Sequence, residues 1–128
     1  MAKTIVRTEK APAAAGPYSQ AVRVGQMVYT AGQIPMDPTT GKVITGDISK
    51  QAEQALRNVQ AVLEAAGASL DHVVKTTVFL QDMNDFGEMN EVYGRFFNQN
   101  PPARTTVEVA ALPLGVRIEV EAVALVGD

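Results

Sequence analysis

Apolar and polar positions alternate with a period of two in several short segments of the chain, and this alternation predicts β-strands. The segments are rich in β-branched and aromatic residues, which fit a pleated, half-buried surface. Six strands are predicted: Thr4–Arg7, Ala21–Val24, Met27–Ala31, His72–Gln81, Arg104–Ala111 and Arg117–Val126. The last two are separated by Leu112–Val116, a connector of hairpin length.

Two longer segments follow the helical period of 3.6 residues. The first begins at Ile48, with Asp47 placed to cap its N-terminus and Gly67 placed just beyond its C-terminus. Its apolar positions trace one face: Ile48, Ala52, Ala55, Leu56, Val59, Val62, Leu63 and Ala66. The second helix follows a cap at Asp82 or Asn84, and Asn100-Pro101-Pro102 ends it. Its apolar residues are Phe86, Met89, Val92, Tyr93, Phe96 and Phe97.

The order of these elements predicts an α+β fold in which one face of a sheet is covered by two helices. The other face must then meet solvent or another chain. In the last strand this second face carries Glu119 and Glu121 at one end and Val123 and Leu125 at the other. Because an exposed apolar patch is unfavourable, we expect an oligomer that buries it, with the polar end lining a cleft between subunits.

Length and composition narrow the possible functions. The 128 residues fit a single domain over 1–128. Without cysteine, disulfides, thiolate metal sites and cysteine nucleophiles are excluded, and a single histidine argues against a histidine metal cluster. The net charge of −3 does not favour electrostatic binding to nucleic acid. The N-terminus carries no apolar run of signal or membrane-span length, which predicts a cytoplasmic protein without a membrane segment.

Arg104 is the first candidate for chemistry, because it opens a strand directly after Pro101-Pro102-Ala103. A guanidinium held this way suits bidentate binding of a carboxylate, although pairing with a surface carboxylate is the more common role of such an arginine. Glu119 lies inside an apolar strand, where burial would raise its pKa and let it take a proton from water. It could equally pair with Arg104 or Arg117, and spacing alone does not separate it from Glu121 two residues on.

Three further residues have a binding and a structural interpretation. Tyr18 follows Gly16-Pro17 in a loop and could close over a ligand or simply pack. Gly32 could admit a ligand close to the backbone or serve as an ordinary turn glycine. Asn90 lies beside the apolar stripe of the second helix and could contact a ligand or cap and bridge.

Several segments together resemble the Rid (YjgF-type) reactive-intermediate deaminases. They are Ala14–Ala21, Tyr29–Pro35, Val74–Leu80, Asp82–Phe86 with Asn90, Pro102–Val109 and Ile118–Ala122. The blocks cover nearly the whole chain in the family's order and spacing.

The resemblance implies a chorismate mutase-like fold with a mixed six-stranded sheet, a homotrimer with three clefts between subunits, and no cofactor or metal. It implies hydrolysis of 2-imino or 2-enamino acids to 2-keto acids and ammonia. By resemblance, Arg104 binds the substrate carboxylate and Glu119 positions the attacking water. Tyr18, Gly32, Asn90 and Thr106 then line the pocket. Many family members carry cysteine where this chain has Thr106, so substrate preference is expected to differ.

Two other functions are weighed against the deaminase. A non-catalytic trimer that binds or senses a small metabolite would also use Arg104, but simple carboxylate binding would not call for Glu119 as a second, repelling carboxylate. An endoribonuclease would need a basic groove, which a net charge of −3 and one histidine disfavour.

Overall fold

A computed structural model describes residues 2–127. The strands are β1 Thr4–Val6, β2 Ala21–Val24, β3 Met27–Thr30, β4 Met36–Asp37, β5 Lys42–Val43, β6 Val73–Leu80, β7 Ala103–Glu108 and β8 Ile118–Leu125. The helices are α1 Ile48–Ala65 and α2 Phe86–Phe96, and short 3₁₀ turns occupy Leu70–His72, Met83–Asp85 and Pro113–Gly115. The predicted α+β class, with a mixed six-stranded sheet and two helices, is confirmed.

The main sheet has the strand order β1-β2-β3-β8-β6-β7. All neighbours are antiparallel except β6 and β7, which are parallel. Because β6 lies between β7 and β8, the expectation of a hairpin over Leu112–Val116 is wrong. The connector crosses the end of β6 instead, where the backbone N–H of Leu112 donates to Gln81 Oε1 at 3.1 Å. Length alone cannot reveal a strand inserted between two sequence neighbours.

Both helices pack on one face of this sheet and form the core with it. The predicted apolar face of α1, from Ile48 to Ala66, is buried throughout. Asp47 caps the helix as predicted, since its Oδ1 accepts from the backbone N–H of Lys50 at 3.0 Å. Gly67 follows the helix with φ +88°, the left-handed conformation that ends many helices.

The start of α2 is tied to the start of β8 by an ion pair. The predicted cap of α2 at Asp82 or Asn84 is wrong for the helix itself, which begins after Asp85 without a side-chain cap. Asp82 instead accepts from Asn84 N–H and opens the 3₁₀ turn that leads into the helix. Asp85, at the end of that turn, is buried and accepts from Arg117 Nη2 at 2.6 Å and Nε at 3.0 Å. This bidentate contact holds the N-terminal end of α2 against the sheet.

The opposite face of the sheet, called here the open face, carries apolar side chains that no element of the described chain covers. Cross-strand partners Ile5, Val22, Tyr29 and Val123 form one row of it. Ile5 is 47% exposed, Tyr29 48% and Leu125 42%. An apolar surface of this kind on one side of a sheet is typical of a protein–protein contact. Among residues 2–127, no helix has both the length and the apolar character needed to span a membrane.

Candidate functional site

Arg104 and Glu119 lie on opposite faces of the sheet. Arg104 pairs with Thr76 of β6, which pairs with Ala122 of β8, and this row faces the helices. Glu119 pairs with Phe79, in a row that faces the open side. Strand spacing and rise per residue place the two Cα atoms about 14 Å apart. A small ligand therefore cannot contact both side chains of one chain.

Glu119 lines a cavity of about 570 Å³ together with Tyr18 and Gly32. Most other lining residues are apolar: Pro12, Ala13, Ala15, Ile34, Met36 and Pro113. The backbone beside Glu119 is held by two hydrogen bonds between Val120 and Gln33, N–H to C=O in each direction, at 2.7 and 3.0 Å. Three of the residues predicted for the site thus meet in one concave surface.

The environment of Glu119 favours its protonated form. Burial raises the pKa of the Glu119 carboxyl above its ordinary value of 4.5, and repulsion by Glu121 raises it further. Within residues 2–127, neither Arg104 nor Arg117 forms an ion pair with Glu119, because Arg117 binds Asp85. A carboxylate with a raised pKa and no cationic partner is suited to accept a proton from water.

Gly32 gives Glu119 the space it occupies. A Cβ atom added at Gly32 would overlap Glu119 Oε2 and lie 2.8 Å from its Cδ. Any larger residue would therefore displace the carboxylate. The close approach at Gly32 is therefore to a side chain of the same chain, and the close approach to a ligand stays a prediction.

Arg104 lies against two aromatic rings of α2. Its Cζ is 4.6 Å from the ring centroid of Tyr93 and 5.5 Å from that of Phe86. Tyr93 is buried and its hydroxyl is 2.7 Å from Thr76 Oγ1, which fixes the plane of the ring. Burial raises the pKa of Tyr93, against the lowering effects of Thr76 and Arg104. The guanidinium is therefore held by stacking, with its hydrogen-bonding edge free of carboxylate partners in residues 2–127.

Thr106 and Asn90 lie near Arg104 rather than near Glu119. Thr106 is two residues along β7 on the same face, and its Oγ1 is buried without a hydrogen-bond partner within the described chain. Asn90 is exposed on α2, one helical turn from both Phe86 and Tyr93. The structure thus places the six predicted residues in two groups, called half-sites here: Tyr18, Gly32 and Glu119 in one, and Asn90, Arg104 and Thr106 in the other.

Sequence reasoning missed two features of these half-sites. The apolar stripe of α2 predicts Phe86 in the core, but its side chain is 37% exposed and its ring lies beside Arg104. Leu114, which also lines the Glu119 cavity, was passed over as part of a connector. Pro113 and Gly115, on either side of Leu114 in the sequence, predict a turn but do not indicate a cavity. No group of three or more His, Asp or Glu side chains within residues 2–127 is close enough to hold a metal ion.

Comparison with known proteins gives a consistent picture. The family model for Endoribonuclease L-PSP matches residues 8–126. A RutC family protein of Pyrococcus abyssi is 55% identical over 97% of this chain and 98% of its own. The human 2-iminobutanoate/2-iminopropanoate deaminase is 51% identical over 98% of this chain and 91% of its own. The crystal structure of the YjgF gene product of E. coli superimposes with a TM-score of 0.92, at 51% identity, over 95% of this chain and 98% of that one. The chain therefore belongs to the Endoribonuclease L-PSP family, which is the Rid/YjgF family.

Proposed function

We propose that this protein hydrolyses 2-imino acids, and their 2-enamino tautomers, to 2-keto acids and ammonia. The observation that carries the proposal is the pair of half-sites, one with a carboxylate of raised pKa and one with a stacked guanidinium, neither of which has an ion-pair partner within residues 2–127. Relatives that are 50–51% identical to this chain carry the name of this activity. No cofactor is part of the proposal, and a single domain and a cytoplasmic location stay predictions.

The proposal requires two copies of the chain for each site. Because Arg104 and Glu119 face opposite sides of the sheet, a cleft that contains both must take Arg104 from one copy and Glu119 from the next. The apolar open face supplies the surface through which copies would associate. A homotrimer with three such clefts, as the family resemblance implies, satisfies this geometry, since each chain gives both half-sites once.

Each group has one role in the proposed reaction. Arg104 binds the substrate carboxylate through two parallel hydrogen bonds and so fixes the imine carbon relative to Glu119. Glu119 accepts a proton from water as the water oxygen bonds to that carbon, and it then passes this proton to the imine nitrogen, which gives a neutral carbinolamine. The carbinolamine hydroxyl loses its proton and the amino group gains one as the C–N bond breaks, which releases ammonia and leaves the 2-keto acid. Asn90 and Thr106 beside Arg104, and Tyr18 and Gly32 beside Glu119, would line the two ends of the cleft.

A coupled assay tests the activity. Threonine dehydratase generates 2-iminobutanoate in solution, and semicarbazide traps the imine that escapes hydrolysis. We expect the wild-type protein to suppress semicarbazone formation and Arg104→Ala and Glu119→Gln to fail. Loss of one charge-assisted carboxylate contact, worth about 1.5–3 kcal/mol, predicts that Arg104→Ala lowers kcat/KM by about 10- to 100-fold.

Matched controls separate chemistry from folding. Glu121→Gln removes a neighbouring carboxylate on the same strand face, and Arg57→Ala removes an exposed arginine paired with Glu53 on α1. Both should retain activity. Glu121→Gln should also shift the acidic limb of the pH profile to lower pH, because it removes one cause of the raised Glu119 pKa. An unchanged trapping rate with folded, oligomeric wild type would refute the deaminase proposal.

Two other functions remain as outcomes of the tests. A metabolite-binding trimer without catalysis would bind 2-keto acids in an Arg104-dependent way while leaving trapping unchanged. The family description names an endoribonuclease, and that activity would appear as RNA cleavage with salt-dependent RNA affinity. The net charge of −3 and the apolar lining of the Glu119 cavity favour a small substrate with an apolar side chain instead.

A further inference from the structure

Leu114 is an exposed apolar residue in an unusual backbone conformation. It has φ 56° and ψ 20°, the left-handed region that residues other than Gly and Asn seldom adopt, and it is 71% exposed. The loop around it is well anchored. Leu112 N–H donates to Gln81 Oε1 at 3.1 Å, and Val116 is completely buried. Residues held in a strained backbone conformation by a fixed loop concentrate at functional sites, so the exposed Leu114 is a candidate for a functional role.

Leu114 also stands in the wall of the Glu119 cavity. Beside it lie Pro113 from the same loop and Ile34 and Met36 from the segment after β3. Glu119 is the only charged side chain lining the cavity within the described chain. A substrate whose imine carbon lies at Glu119 must direct its carboxylate away from that carboxylate, since like charges repel. Its side chain is then the part that contacts the apolar wall.

We propose that Leu114 is a specificity-determining residue that selects substrates with longer apolar side chains. This inference rests on the proposed deaminase function and extends it to a substrate class, 2-imino acids with longer aliphatic side chains. Each methylene that moves from water to the Leu114 wall increases kcat/KM by about fourfold. Substrates with a charged side chain are disfavoured, because the wall offers no partner for the charge.

A homologous series of substrates tests the proposal. An L-amino acid oxidase with catalase generates 2-iminopropanoate, 2-iminobutanoate, 2-iminopentanoate and 2-iminohexanoate from the corresponding amino acids, and semicarbazide traps them. We expect wild-type kcat/KM to rise along the series. Leu114→Asn keeps a residue that tolerates positive φ but makes the wall polar, so it should lower the hexanoate-to-propanoate ratio by at least about fourfold. Leu114→Met, apolar and of similar size, should keep the rise.

Controls distinguish this proposal from its alternatives. Val74→Thr changes another exposed apolar residue, at the far end of β6, and should leave the ratio unchanged. A ratio that is the same in Leu114→Asn and wild type, or a Leu114→Asn protein that dissociates in sedimentation velocity, would overturn the proposal. The second result would place Leu114 between copies.

A binding measurement keeps the test independent of catalysis. Calorimetric titration of wild type and Leu114→Asn with 2-oxobutanoate and 2-oxohexanoate measures how the same apolar wall affects binding affinity in the absence of turnover. If wild type binds the longer keto acid more tightly, Leu114→Asn loses this preference and wild type hydrolyses no imine, the deaminase proposal fails and the Leu114 proposal stands for a binding site. If wild type hydrolyses imines with no Leu114-dependent preference, the deaminase proposal stands and the Leu114 proposal fails.

Discussion

Mixing two inactive variants tests whether each site is shared between copies. Arg104 faces the helices and Glu119 faces the open side of the same sheet, so the proposed cleft takes one residue from each of two chains. In mixed oligomers of Arg104→Ala and Glu119→Gln, a cleft is complete when its arginine comes from the second variant and its glutamate from the first. Random assembly at equal amounts therefore makes about one quarter of the clefts complete.

A second mixture supplies the comparison. Wild type mixed with the double variant also has about one quarter of its clefts complete, if two chains form each cleft. If one chain held both residues, the same mixture would keep about half of its activity and the two single variants would regain none. Co-expressed, differently tagged chains and the semicarbazide assay measure these fractions. About half of the wild-type activity in the mixture of wild type and double variant, together with none in the mixture of the two single variants, would refute the opposite-face reasoning.

Three further predictions follow from contacts within the chain. Glu119→Gln should raise the free energy of unfolding at pH 7 but not at pH 3. Because the folded-state pKa of Glu119 is raised, its ionisation costs stability as pH rises from about 4.5 through that pKa, and urea titrations at both pH values measure this. Gly32→Ala should lower kcat in the imine assay at temperatures where the variant is still folded, since its Cβ would displace the Glu119 carboxylate. A loss of activity that only follows unfolding, as the Tm reports it, would contradict this. Tyr93→Phe should destabilise the protein by about 1–2 kcal/mol in denaturant titrations, and adding Thr76→Val should recover part of that loss, because a lone buried hydroxyl costs more than none. Additive effects would show that the hydroxyls are not coupled.

The sequence predicted the regular elements well because their patterns are local. Helix α1 was placed from Asp47 to Gly67 by a cap, a 3.6-residue apolar spacing and a left-handed glycine, all of which act within the segment. The two faces of β8 followed from alternation alone, and the structure buries Ile118, Val120, Ala122 and Ala124 as expected. The apolar open face was also foreseen, because Val123 and Leu125 alternate with those residues.

Such local patterns do not predict which strands pair with each other. Nothing in Leu112–Val116 shows that β6 separates the strands on either side of it, so a connector of hairpin length proved to be a crossing. Phe86 fits the apolar stripe of α2, yet its ring lies beside Arg104 at the edge of the sheet. Both errors arise because a residue's partners along the chain differ from its partners in space.

The sequence alone identified Arg104 as a candidate, because it opens a strand after two prolines, and Glu119, because charged residues in apolar strands seldom lack a partner. The choice of Glu119 over Glu121 came from the family resemblance. It also determined which faces of each strand are apolar. Only the tertiary structure decided that these two residues belong to different half-sites, that Tyr93 and Phe86 hold Arg104, and that Gly32 makes room for Glu119. The reason is physical: alternation sets the face of a side chain relative to its own strand, whereas strand order and register set which side chains share that face.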